Sequence, residues 1–163
     1  MIKLVEDVDV YDIEELVLYA LRHGYNSEDL DAAAARAKFL DRAYSSLNSE
    51  LFEYDPKRRF EYDLPGGEDR KVCYIDCNNT DISNITVSIF GLKDNLNAVK
   101  LEVTTTVAED NSFEALTYEK YYNYIDELHL ACQAANSLAS ILNIKSTKQD
   151  VITNCERFGL TEI

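Results

Sequence analysis

The strongest constraint on this chain is a pair of apolar seams with helical spacing, one near each end. The first runs Leu30, Ala33, Ala37, Leu40, Tyr44, Leu47, Leu51; the second runs Tyr118, Tyr121, Ile125, Leu128, Cys132, Ala135, Ala139, Leu142. Steps alternating three and four put every member on one stripe of a helix, and such a stripe must be buried against something. Between the seams the period changes to two. Phe60, Tyr62 and Leu64 alternate with Glu61 and Asp63, Val72 to Cys77 is strand-like, and Ile85-x-Val87-x-Ile89 repeats the pattern. A fourth run places Val99, Leu101, Val103, Thr105 and Val107 on one face and Lys100, Glu102, Thr104 and Thr106 on the other. One apolar and one wet face is the pattern of an antiparallel meander covered on one side.

The expected order is α, α, four β, α, α. This is an α+β fold in which an α-helical bundle, of two N-terminal and two C-terminal helices, carries an inserted small antiparallel β-sheet. At 163 residues one domain, 1–163, can bury a real core. The bundle is expected over 9–55 and 112–159 and the β insert over 57–108.

Local signals punctuate the helices. Asp12-x-x-Glu15 reads as a capping box opening a helix that buries Ile13, Leu16, Val17, Ala20 and Leu21, with Gly24 after His23 at its end. Ser27 reads as the next N-cap, and that second helix is expected to reach Leu51 or Phe52 and to pair with the first as an antiparallel hairpin. Asp55-Pro56 stops it, and Pro65-Gly66-Gly67 makes a turn. Thr117 is the expected cap of the third helix. Ser146-x-x-Gln149 opens a short fourth helix, with Val151, Ile152, Cys155 and Phe158, closed by Gly159. The small residues Ala33, Ala37, Ala135 and Ala139 are expected where helices two and three cross.

The net charge is −14, from 30 acids against 16 bases. It is spread along the chain: residues 1–55 hold 13 acids and 5 bases, and residues 73–163 hold 13 and 6. Only residues 56–72 lean the other way, through Lys57, Arg58, Arg59, Arg70 and Lys71. An acidic surface repels phosphate, which disfavours ordinary nucleic-acid binding. Glu6, Asp7 and Asp9 interrupt the start before any secretory apolar region, and no apolar run approaches a membrane span. A soluble protein made in the cytoplasm and not secreted is expected. Cys73, Cys77, Cys132 and Cys155 are then free, small hydrophobes, and the sequons at Asn78 and Asn84 carry no meaning.

Chemical motifs are weak. His23 and His129 have no ligand neighbours at metal spacing. Cys73 and Cys77 fall on one strand face, roughly 13 Å apart, too far for a shared zinc or a disulfide. Asp7-x-Asp9 and Asp76-x-Asn78 lack the glycine and glutamate of a calcium loop. Gly66-Gly67-Glu68-Asp69 has the residues of a cyclase signature in the wrong order, and no glycine-rich phosphate loop or nucleophile–histidine pattern exists. No cofactor, no metal and no catalysis are expected. Tyr118, Tyr121, Tyr122 and Tyr124 crowd the start of the second seam, where core packing competes with an aromatic contact surface.

Several stretches resemble the head-to-tail adaptor (tail tubular protein A-like connector) of short-tailed bacteriophages. Asp12 through Gly24 is similar to that family's first helix, and Asp31-Ala32-Ala33-Ala34-Ala35-Arg36 through Leu40 and Leu47-Asn48 to its alanine-rich second helix. Phe52 to Leu64 looks like its exit into sheet, and Tyr118 through Leu142, followed by the short helix after Ser146, like its C-terminal pair. The chain has no tryptophan, whereas relatives often place one past the second helix; Phe52 and Tyr54 stand there instead.

The resemblance implies a virion structural protein: a homo-oligomeric ring, a dodecamer in expectation, joining portal to tail proteins and letting DNA pass without specific binding. Lys57, Arg58, Arg59, Tyr118, Tyr121 and Tyr122 are the interface residues expected in it. The rival reading is an acidic DNA-mimic or inhibitor protein of phage origin, resembling anti-CRISPR proteins, which would array its carboxylates at phosphate-like spacing.

Overall fold

The computed structural model describes residues 13–54, 64–66, 68–77, 84–95, 97–109, 112–123, 125–143 and 146–163. Its framework is an antiparallel sheet whose six strands run in sequence order: β1 (Glu53–Tyr54), β2 (Arg70–Cys77), β3 (Asn84–Gly91), β4 (Val99–Glu109), β5 (Ser112–Tyr122) and β6 (Thr161–Glu162). Helices α1 (Ile13–Arg22) and α2 (Ser27–Ser45) precede it. A 3-10 turn (Ile125–Glu127) leads into α3 (Leu128–Leu142) and then α4 (Lys148–Arg157).

This corrects the expected bundle with a small inserted sheet. The fold is α+β, but the sheet is its largest part, and residues 112–122 belong to it. The physical reason lies in β5. Tyr118 and Tyr121 fit a helical seam, yet Leu116, Tyr118, Lys120 and Tyr122 also alternate at strand period, and tyrosine and threonine suit a pleated surface. Pairing decides between the two. β5 runs antiparallel to β4 over eleven residue pairs, from Glu109 opposite Ser112 to Val99 opposite Tyr122. Only two residues separate the strands, the spacing of a short hairpin that local chain entropy favours. Thr117 is accordingly no helix cap; it faces Thr104 across the ladder.

The rest of the second seam is a helix and behaves as its spacing requires. Leu128, Cys132, Ala135, Ala139 and Leu142 are all buried, with Ala131, Ala134 and Leu138 widening the stripe. α3 packs on β2, β3 and β4 and also against α2 and α4. It meets Ile85, Val87, Ile89, Val99, Leu101 and Val103 in one continuous core. Fully burying each such leucine or isoleucine stabilises by roughly 1.5–3 kcal/mol before entropy is counted.

α2 stops at Ser45, short of the expected Leu51. The Ser45 and Ser46 hydroxyls donate to the Asp41 and Arg42 carbonyls at 2.8 and 2.9 Å, and the Asn48 side chain then accepts from the Glu50 amide. Serine and asparagine thus offer the backbone local alternatives to another helical turn. Leu47 and Phe52 are buried nonetheless, so the seam outlasts its helix. The contact of α2 with α3 falls at Ala43, whose carbonyl accepts from Cys132 Sγ at 3.4 Å. Asn136 ties the adjoining loop down, accepting from the Asn48 amide (2.8 Å) and donating to the Ser46 carbonyl (3.2 Å). Ala33, expected at this crossing, instead packs with Leu64 in a satellite cluster bordered by Tyr19, Tyr25 and Leu30.

The caps also shift by one residue. Asn26, not Ser27, forms a capping box with Asp29, and Thr147, not Ser146, forms one with Asp150. Both pairs satisfy two orphan amides reciprocally. Gly24 (φ 77°) and Gly159 (φ 81°) end α1 and α4 as expected. The buried face expected for α1 fails at Val17 and Leu21, while the side chains of Ile13 and Leu16 lie outside the description. Ala20 is buried, but Val17, Leu18 and Leu21 are exposed, because the helix rests on the satellite cluster through Tyr19. Of the strand expected over Phe60, Tyr62 and Leu64 only Leu64 is described, buried and in no strand; the stop at Asp55-Pro56 and the cap at Asp12 lie outside the described residues.

Candidate interaction surface

Strand alternation divides the sheet into two faces. Cys73, Ile75 and Cys77 of β2, then Ile85, Val87 and Ile89, then Val99, Leu101 and Val103, then Leu116, Tyr118 and Tyr122 meet the helices. The opposite side chains join no core cluster, and the register lines them up in rows. One row reads Lys71, Phe90, Lys100, Tyr121 across β2 to β5. The next reads Tyr74, Ser88, Glu102, Glu119, and the third Asp76, Thr86, Thr104, Thr117.

The first row is a ladder of cations and rings. Lys100 Nζ lies 4.7 Å from the Phe90 centroid, and Lys71 Nζ lies 5.9 Å from Phe90 and 5.3 Å from Tyr74. Each such contact contributes about 0.5–1 kcal/mol at an exposed site. Lys100 also pairs with Glu102 at 3.1 Å and lies 3.9 Å from Glu119. Burial works against its charge, but the bond to Glu102 and the fields of Glu102, Tyr121 and Glu119 prevail, so its pKa is raised. Without this lysine, Glu102 and Glu119 would face each other as like charges directly across the ladder, a destabilising arrangement. Tyr121 donates to Glu119 at 3.3 Å, Thr104 to Glu102 at 3.2 Å and Thr86 to Asp76 at 2.7 Å. Among the described side chains the face is thus an ordered polar mosaic with three aromatic rings, Tyr74, Phe90 and Tyr121, set in it.

The expected interface residues separate on this frame. Tyr118 and Tyr122 are each 4% exposed and point into the core, while Tyr121, on the other face, is 48% exposed. Tyrosines placed in one cluster by a helical reading are therefore divided by the pleat. Burial, and after it Glu162, raises the Tyr118 pKa; burial and Glu127 raise that of Tyr122. Lys57, Arg58 and Arg59 lie outside the described residues. Arg70, from the same basic island, is buried at the start of β2, whereas Lys71 is only half-buried. Phe90, Tyr74 and Lys100 were not singled out from the sequence as a surface; their off-core positions in the alternating runs were the available signal.

Among the described residues no group of three or more His, Cys, Asp or Glu side chains could hold a metal ion. The four cysteines are free and buried. Burial, aided by Asp76 and Glu156 respectively, pushes Cys77 to about 11 and Cys155 to about 12. Burial also takes Cys132 to about 11. Such thiols stay protonated and unreactive at neutral pH. His23 and His129 are both exposed; His23 stacks on Tyr19 and bonds its carbonyl through Nδ1. No described helix is long and apolar enough to cross a membrane.

No family model, no curated protein and no solved structure matches this chain.

Proposed function

We propose that this chain is a structural binding protein, which works by docking the sheet face turned away from its core against copies of itself or a neighbouring protein rather than by catalysis. The observation that carries the reading is the Lys71–Phe90–Lys100–Tyr121 row, an aromatic and cationic strip on the sheet face turned away from the core of a strongly acidic chain. Aromatic residues are enriched where proteins meet, and positive groups there offset the mutual repulsion of acidic copies. A connector ring between phage portal and tail, as the sequence resemblance implies, is the assembly we propose for it. An acidic mimic of DNA fits the face less well, because its carboxylates are interleaved with lysines and rings rather than arrayed in rows.

Native mass measured by light scattering tests the proposal. An assembly larger than one chain, weakened by Lys71→Glu combined with Tyr121→Ser while circular dichroism shows the variant still folded at the assay temperature, supports it. Added salt should weaken the wild-type assembly in the same direction. A strict monomer at every concentration and with every added phage portal, or an assembly indifferent to the double variant, would sink it.

A further inference from the structure

A second surface, on the helix side of the sheet, carries an independent inference. Where β5 runs out, a groove of about 740 Å³ opens between the strand end, α3 and the turn after α4. Its floor and walls include Tyr122, Leu130, Ala134 and Phe158, and its charged side chains are Lys120, Arg157 and Glu127. The volume lies within the roughly 300–1,000 Å³ range of pockets that enclose small ligands or short side-chain clusters.

The charges are the informative part. Within a chain of net −14 this groove holds two cations and one acid. The acid is partly spent, since Glu127 Oε1 accepts from the Asn123 amide at 3.0 Å. The cations are held in place by the fold. Lys120 Nζ lies 5.1 Å from the Tyr122 ring centroid and so close to Gly159 that a Cβ there would approach it to 3.1 Å. Gly159 has φ +81°, so the residue that ends α4 also leaves the space the ammonium group fills. Arg157 lies 5.6 Å from the Phe158 ring. Among the described residues neither cation forms an ion pair. Leu130, beside them, is 46% exposed although it is a large apolar side chain.

Preset cations flanking an exposed leucine and two rings complement a carboxylate next to an apolar side chain. We infer that this groove binds an acidic peptide segment of a partner protein, with an aliphatic or aromatic residue seated against Leu130 and Phe158 and its neighbouring carboxylate between Lys120 and Arg157. The groove borders the sheet-face site proposed above at Tyr121, which lines both, but its cations and its apolar seat lie outside that row, and its test does not depend on assembly.

The experiment is selection of a random displayed peptide library on the folded wild-type protein, repeated on Lys120→Gln/Arg157→Gln. Wild-type protein should enrich sequences with Asp or Glu beside Leu, Ile or Phe. A synthetic copy of a selected peptide should bind at least tenfold more weakly to the double variant, weaken with salt, and shift the Gly159 and Leu130 amide resonances of the wild type. Leu130→Asp, a change at an already exposed position, should abolish binding while the melt is unchanged. Selection without acidic enrichment, equal binding to wild type and double variant, or resonance shifts confined to another face would overturn the inference. So would binding of a (dT)12 oligonucleotide in place of any peptide.

Discussion

Gly91 offers the sharpest test of the packing, because the glycine is needed for space and not for backbone freedom. It lies in β3, paired with Arg70 on one side and Val99 on the other. A Cβ at this position would come within 2.8 Å of Leu40 Cδ1 and 3.0 Å of both Leu40 Cδ2 and Arg36 Nη2. Leu40 and Arg36 are 0% and 1% exposed, so neither can swing into solvent. The closest contact falls about 0.7–1.2 Å inside the optimal separation of carbon atoms. Overpacking of this kind costs about 1–3 kcal/mol, while removing a strand glycine returns about 0.5–1 kcal/mol.

Gly91→Ala should therefore destabilise by about 1–2 kcal/mol net, lowering Tm by about 2–8 °C for a domain of this size. Leu40→Ala alone should cost about 2–5 kcal/mol as a cavity. The double variant should lose less than the sum by at least about 0.5 kcal/mol, since the new methyl partly fills the space. Urea melts of the four proteins measure all three quantities. A Gly91→Ala protein as stable as wild type, or strict additivity in the cycle, would show that α2 does not press on β3 in this way.

Burial raises the pKa values of Cys77, Cys132 and Cys155, so the folded chain holds those protons more tightly than the unfolded chain, whose thiols titrate near 8.5. The associated stability is complete below that value and is lost as pH rises toward 11–12; the urea midpoint should fall between pH 8 and pH 10, and less steeply in Cys155→Ala. Iodoacetamide at pH 8 should leave the native protein unlabelled and add four groups after denaturation, so prompt native labelling would contradict the burial. Asn26→Ala and Thr147→Ala should each cost about 1 kcal/mol of stability through lost caps, whereas Ser27→Ala should stay within about 0.5 kcal/mol; the reverse ranking in thermal melts would restore the caps expected from sequence. Asn136→Ala should cost about 0.5–1.5 kcal/mol and speed hydrogen exchange at the Asn48 amide, which its side chain holds; unchanged exchange would remove that tether.

Elements whose pattern admits a single period could be read from the residues alone. Strands β2, β3 and β4, the buried stripe of α3 from Leu128 onward, the positive-φ glycines at 24 and 159 and the free, buried cysteines were all legible, because each rests on local geometry or on one face meeting a core. Cap positions were legible only to within a residue, since Asn26 and Ser27, or Ser146 and Thr147, are chemically equivalent candidates until the backbone chooses one. Long-range pairing set the state of residues 112–122, where Tyr118 and Tyr121 fit a helical period while Leu116, Tyr118 and Tyr122 fit a strand one. Eleven cross-strand pairs with β4 broke that tie, and with it the sheet became the framework and the expected bundle was lost. The same pleat sent Tyr118 and Tyr122 inward and Tyr121 outward. Rows such as Lys71–Phe90–Lys100–Tyr121 exist only through inter-strand register, a long-range property that no local pattern encodes.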